Sequence, residues 1–149
     1  MKRKKLTASM IALVMSVSLP MTTYAANWYL EDGSVTVNAD NSGQTVTQGG
    51  TSTPDEAPVI TQRESSVETG NTIAISTSDN AAANVTIKDI NIKSSNDAID
   101  VKGSSSANIT LEGDNKIFSE TGSALHISDG NVTINGSGSL KAEIQDDPD

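Results

Sequence analysis

The sequence predicts an all-β chain wound as a right-handed parallel β-helix of about three to four short coils with an N-terminal β cap. Two observations predict it. Val and Ile recur in short alternating bursts, from Val35-Thr36-Val37 through Ile99-Asp100-Val101 to Val132-Thr133-Ile134. Period-two alternation of β-branched residues marks half-buried strand, and no helical stripe competes with it after the first 25 residues. The bursts also repeat. Asn84-Val85-Thr86-Ile87, Asn108-Ile109-Thr110-Leu111 and Asn131-Val132-Thr133-Ile134 follow one another at 24 and 23 residues. Ile73-Ala74-Ile75, Ile99-Asp100-Val101 and Leu125-His126-Ile127 follow at 26, and Ile90, Ile92, Ile117 and Leu140 make a looser third set. Constant strands joined by elastic turns of Gly, Ser, Asn and Asp are the mark of a solenoid whose coils stack. An antiparallel sandwich uses strands of the same length but has no reason to repeat Asn-β-x-β at a nearly fixed offset.

Taken in order, residues 1–25 read as a secretory signal peptide. Lys2, Arg3, Lys4 and Lys5 precede an apolar run over 6–19, Pro20 breaks it, and Thr23-Tyr24-Ala25 supplies a small-x-small cleavage site. Residues 26–58 read as cap strands and a loop, with Trp28, Tyr29 and Leu30 covering the first coil and a Gly, Thr, Pro and acidic stretch over 49–58 leading out. Residues 59–142 are the β-helix coils. Residues 143–149 are an acidic tail that would discourage the last edge from pairing with another chain.

Composition excludes several function classes. The chain carries 10 basic and 19 acidic residues, and four of the basic ones fall in the leader, so the secreted form has 6 against 19, a net charge of −13. Nucleic acid and anionic membrane both demand a cationic face, so neither is expected as a partner, and no second apolar stretch approaches membrane length. With no cysteine there is no disulfide framework and no thiolate metal site. The expected location is outside the cell, with the cell surface or a periplasm as variants of that reading.

Stacking turns the repeats into vertical rows, and outward rows are where chemistry would sit. Asn84, Asn108 and Asn131 form one, read as an amide ladder stabilising the turns. Thr86, Thr110 and Thr133 form a second, a hydroxyl row suited to a flat sheet surface. Ala74, Asp100 and His126 form a third, in which Asp100 and His126 become neighbours on adjacent coils. Asp and Asn gather in the turns, and a divalent cation that binds oxygen, calcium above all, would find its best ligands in Asp79, Asp97 and Asp100. Enzyme signatures are missing: no nucleophile elbow, phosphate loop or His-Glu-x-x-His occurs. Asp97 and Asp100, three apart, mimic a glycosidase carboxylate pair, and Arg63 is the one arginine after the leader. The chain is read as non-catalytic, with a polysaccharide lyase or glycosidase as the weaker alternative.

Several segments together resemble a known group: Asn27-Trp28-Tyr29-Leu30-Glu31-Asp32-Gly33, Gly70-Asn71-Thr72-Ile73-Ala74-Ile75, Asp97-Ala98-Ile99-Asp100-Val101 and Ala124-Leu125-His126-Ile127-Ser128-Asp129-Gly130. With the three Asn-led repeats, they resemble the β-helical carbohydrate-binding domain proteins secreted by clostridia and related gut bacteria, over residues 27–142. The resemblance implies the architecture of pectate lyases without their activity, adhesion to plant or other polysaccharides, and calcium bound in the solenoid. On that expectation the ligand face holds Thr86, Thr110, Thr133, Asp100 and His126, with Trp28 and Tyr29 as the aromatic residues available to a sugar. The alternative is a structural or adhesin-like surface solenoid whose partner is another protein or a second copy.

Overall fold

The computed structural model describes residues 25–145. Of the expected leader only Ala25 falls among them, and residues 146–149 of the expected tail also lie outside the described residues. Fourteen strands follow in order: β1 (Asn27–Tyr29), β2 (Val35–Asp40), β3 (Gly43–Gln48), β4 (Thr51–Pro54), β5 (Val59–Thr61), β6 (Ile73–Thr77) and β7 (Ala82–Lys88). Then come β8 (Asn91–Ser94), β9 (Ile99–Gly103), β10 (Ser106–Glu112), β11 (Asp114–Ser119), β12 (Leu125–Ser128), β13 (Asn131–Gly136) and β14 (Ser139–Ile144). The one helical element is a 3-10 turn, Leu30–Asp32, and no helix among the described residues is long and apolar enough to cross a membrane.

The strands wind as a parallel β-solenoid of about three turns. One wall is a five-stranded parallel sheet, β1-β5-β7-β10-β13, and a second is β8-β11-β14. The third wall stacks β12, β9, β6 and β2 in parallel, then continues antiparallel through β3 and β4. The chain visits the walls in the same sequence at each turn, so equivalent residues of successive coils lie side by side at the spacing of paired strands, about 4.8 Å.

The 26-residue set stacks as the sequence predicts: Ile73 pairs with Ile99 and Ile99 with Leu125, while Ala74, Asp100 and His126 share the outward row. The row extends one coil further than expected, since Thr36 of β2 pairs with Ala74. The segment assigned to a separate cap therefore contributes coil strands of its own. Its cap consists of the 3-10 turn and the β2-β3-β4 meander. Gly49 and Gly50, both at positive φ (59° and 81°), turn the chain between β3 and β4, as a two-residue hairpin loop requires. At the other end, β14 runs to Ile144, two residues past the expected end of the coils.

The Asn-led set departs from expectation at its last member. β7 and β10 pair as predicted, Asn84 with Asn108 and Thr86 with Thr110. On β13, however, Asn131 pairs with Ser106, Thr133 with Asn108, and Asn135 with Thr110. The turn from β12 to β13 sets this register. Asp129 and Gly130 both adopt left-handed conformations (φ 62° and 74°), and Asn131 N–H joins Ser105 C=O at 3.1 Å, so Asn131 meets the sheet at the start of β10. A slip of two residues preserves which side chains face inward. Val132 and Ile134 still point to the core, over Ala107 and Ile109. The third set slips in the same way: Leu140 stacks on Asn115 and Ala142 on Ile117.

Inward rows make one continuous core. Ile60, Ile73, Ile75, Ile87, Ile92, Ile99 and Ile117 are all essentially inaccessible to solvent. Polar side chains inside it act as substitutes for missing strand. β5 is only three residues long, so the first half of β7 has no strand beside it on that edge. Gln44 takes that place: its Oε1 accepts from Asn84 N–H (2.8 Å) and its Nε2 donates to Asn84 C=O (3.0 Å). Gln62 Oε1 accepts from Asn91 N–H in the same manner. Buried Asn115 donates to Glu112 C=O and Ser139 C=O (3.0 and 2.9 Å) and accepts from Ile90 N–H (3.3 Å). Every buried side-chain nitrogen or oxygen among the described residues has a partner, as a low-dielectric core demands.

Candidate functional site

Two polar regions on the outer walls gather most of the residues that sequence reasoning selected, Asp79 and Trp28 excepted. The first lies where β9 and β12 emerge. Ile99 and Val101 are inward, so alternation turns Asp100 out, and Leu125 and Ile127 do the same for His126. His126 Nδ1 and Asp100 Oδ1 are 2.9 Å apart. Asp97, in the turn before β9, brings its Oδ2 to 3.6 Å from the same nitrogen. Its Oδ1 accepts the Ser123 N–H at 2.6 Å, which fixes the carboxylate across two coils. The imidazole is nearly half exposed (45%), and Lys102 Nζ stands 4.0 Å from Asp100 Oδ2. The hydrogen bond to Asp100, helped by the charges of Asp97 and Asp100 and opposed by partial desolvation, raises the His126 pKa above its ordinary value.

Of the three carboxylates expected to hold calcium, two converge and one does not. Asp97 and Asp100 come together with His126, each offering a ligand atom within 4.8 Å of the others, but Asp79 is not part of the group. Asp79 follows β6 and Asp97 precedes β9, whose strands run side by side. The length of a five-residue strand, roughly 17 Å, separates the two turns. The third donor is instead a nitrogen. Two carboxylates and an imidazole suit calcium poorly, because that ion takes six to eight oxygens.

The second region is the outer face of the five-stranded wall. Its rows run Asn84, Asn108, Thr133 and, beside them, Val59, Thr86, Thr110, Asn135. Asn108 Nδ2 donates to Asn84 Oδ1 (3.0 Å), and Thr110 Oγ1 donates to Asn135 Oδ1 (3.1 Å). The expected amide ladder thus has two asparagines, with Thr133 in the third place, and the expected threonine row ends at Thr110 with Asn135 above it. The shortened turn before β13 is the cause.

The aromatic residues divide. Trp28 lies in the inward row beside Ile60, packs against the core, and donates from Nε1 to Asp55 Oδ2 (2.8 Å). It closes the core and is not on the ligand face assigned to it from sequence. Tyr29 faces out, and Arg63 lays its guanidinium over the ring, 4.1 Å from the centroid. Asp32 grips that guanidinium through both oxygens (2.9 and 2.7 Å), which holds the Asp32 carboxyl below the usual range and raises Arg63. Tyr29, Thr61, Arg63, Lys88, Asp89 and Glu112 line a groove of about 440 Å³ along this wall.

Sequence reasoning gave no binding role to Arg63, Lys88 or Glu112, although Lys88 and Glu112 pair in register on β7 and β10. It also missed Phe118. Ile117 and Ser119 are buried, so alternation places Phe118 outward on the wall of β8, β11 and β14, where Lys93 Nζ lies 5.7 Å from the ring centroid. The period-two pattern alone could have found it. No protein-family model, curated protein or solved structure matches this chain.

Proposed function

We propose that the chain is a secreted, non-catalytic module that binds a neutral polysaccharide along the outer face of its five-stranded wall. One observation carries the reading: hydroxyl and amide side chains lie in register over three adjacent coils (Asn84, Asn108, Thr133 and Thr86, Thr110, Asn135) and lead toward a groove walled by Tyr29. A polymer of sugar hydroxyls calls for such a face, with many exchangeable donors and acceptors at regular spacing and an aromatic edge at one end. The resemblance of the repeats to secreted carbohydrate-binding solenoids supports the same reading. Charge supports a neutral partner, because the secreted form's 19 acidic residues against 6 basic would repel a uronic-acid polymer unless a cation bridged them.

Retention of the chain on insoluble cellulose, xylan and mannan, beside pectin with and without chelator, tests the proposal. Retention on at least one neutral polymer, lost in a Thr86→Val, Thr110→Val double variant, is the expected result. Valine keeps the strand propensity and removes only the hydroxyls. Equal retention of wild type and variant would remove the face from consideration. Chelator-sensitive retention on pectin alone would restore an acidic polymer bridged by calcium.

A second reading, association with a protein or a second copy, is favoured by the last coil. Ile127 is 46% exposed, Ile134 41% and Ile144 60%. Elution at a concentration-dependent size, in the same buffer, would speak for it.

A further inference from the structure

We propose that Asp97, Asp100 and His126 bind a divalent transition-metal ion of the zinc class on the outer face of β9 and β12. The inference is independent of the polysaccharide reading, since it concerns a different wall and is tested without any glycan. The donors come from three places: the turn before β9, β9 itself, and β12 one coil on. His126 Nδ1 faces both carboxylates, 2.9 Å from Asp100 Oδ1 and 3.6 Å from Asp97 Oδ2. Ligands around a tetrahedral ion with bonds of about 2.0–2.1 Å sit about 3.3–3.4 Å from one another, and these two separations bracket that spacing.

The surroundings favour an ion over a plain charge pair. The paired ladders of β9 and β12 fix the backbones of Asp100 and His126, with Ile99 against Leu125 and Val101 against Ile127 on either side. The Ser123 N–H occupies Asp97 Oδ1 and leaves Oδ2 turned to the imidazole, the outer-shell arrangement that orients a metal-binding carboxylate. Gly122 leaves room for the Asp97 carboxylate in this position, because a Cβ there would lie 2.5 Å from Asp97 Oδ1. Lys102 approaches Asp100 through the other oxygen, Oδ2, and leaves Oδ1 to the site. Three protein ligands on an exposed face leave a fourth position to water.

The donor set also chooses the ion. Imidazole suits zinc, copper and nickel, whereas calcium prefers an all-oxygen shell. On binding, the Nδ1 lone pair becomes the metal bond, any proton on Nδ1 passes to solvent, and Nε2 keeps its own. Affinity therefore falls as the medium is acidified.

Isothermal titration of the metal-free full chain with Zn²⁺, and separately with Ca²⁺, tests the site, and Co²⁺ gives a visible absorption band as a second readout. One equivalent of Zn²⁺ should bind, with the signals of the single histidine shifting on the same titration. His126→Ala and Asp100→Asn should each weaken Zn²⁺ by at least roughly tenfold, while Asp79→Asn, outside the group, leaves it unchanged. Unchanged far-ultraviolet circular dichroism of the two surface variants separates ligand loss from misfolding. The absence of saturable Zn²⁺ binding, Zn²⁺ binding that survives both substitutions, or Ca²⁺ binding as tight as Zn²⁺ would each overturn the proposal.

Discussion

The two ends of the solenoid are built from the same alternating strands and finish differently. At the first coil Leu30, Val35, Val37 and Val46 are completely buried, while on the last coil Ile127, Ile134 and Ile144 are 41–60% exposed. Alternation decides which side of a strand an aliphatic residue takes, but a second layer decides whether water still reaches it. At the first coil that layer is the 3-10 turn and the β2-β3-β4 meander, neither of which belongs to the repeat. Asp55 ties it down from inside, accepting from Ala26 N–H (3.2 Å), Trp28 Nε1–H (2.8 Å) and Ala57 N–H (3.1 Å) while itself 3% exposed. Among the described residues no such hub stands over Ile134.

The largest contrast is expected from one substitution made in both places. Ile87, sealed between Ile60 and Leu111, and Ile134, over Ile109 on the last coil, occupy inward positions of the same wall. Ile87→Ala should cost about 3–4 kcal/mol in urea unfolding, because it leaves a cavity walled by coils on both sides. Ile134→Ala should cost less than about 1 kcal/mol, since Ile134 is itself 41% exposed and its removal leaves no enclosed cavity. Equal losses would mean that the last coil is covered in solution.

A smaller effect is expected from opening the closed end. Asp55→Ala leaves the Trp28 indole N–H and two backbone N–H groups without their acceptor, at a cost of about 2–3 kcal/mol. The single tryptophan reports it directly: its emission should shift to the red as water reaches the indole. An unchanged emission maximum would show that packing alone seats Trp28.

What the sequence made legible follows from the same comparison. The Ile73, Ile99, Leu125 stack and the Asp100–His126 pair could be read because every turn in that set has compensating length. The register of β13 could not. Alternation is unchanged by an even slip, so Val132 fits over Ala107 as well as over Ile109, and only the left-handed Asp129-Gly130 turn decides between them. β4 was hidden because Thr51-Ser52-Thr53-Pro54 is exposed throughout and has no apolar alternation to betray a strand. Asp97 was selected as a carboxylate, but its convergence on His126 depends on how the corner folds between two coils. Tyr29 and Arg63 meet only in three dimensions, 34 positions apart and outside any repeat.

The smallest expected effect distinguishes the ends by pH, and with opposite sign. On the last two coils His126 faces Asp97 and Asp100, with Lys102 beside Asp100, and its pKa is raised mainly by the Asp100 hydrogen bond. A group whose folded pKa exceeds its unfolded value of about 6.5 contributes stability that is complete below that value and disappears as pH rises through the folded one. At the closed end Asp32 faces Arg63, with Glu31 and Tyr29 nearby, and its pKa is lowered mainly by the Arg63 hydrogen bond. That contribution is complete above the unfolded carboxyl value, about 3.9, and is lost as pH falls through the folded one. In chelator, the difference in urea midpoint between wild type and Asp100→Asn should therefore be present near pH ~5.5 and vanish by pH ~9. The difference between wild type and Arg63→Gln should persist at pH ~9 and shrink below pH ~3. Both pairs are solvent-exposed, so the shifts are small and must be taken as differences between variants at each pH rather than from the wild-type curve. Two differences that fade at the same end of the pH scale would show that one of the pairs is not formed in solution.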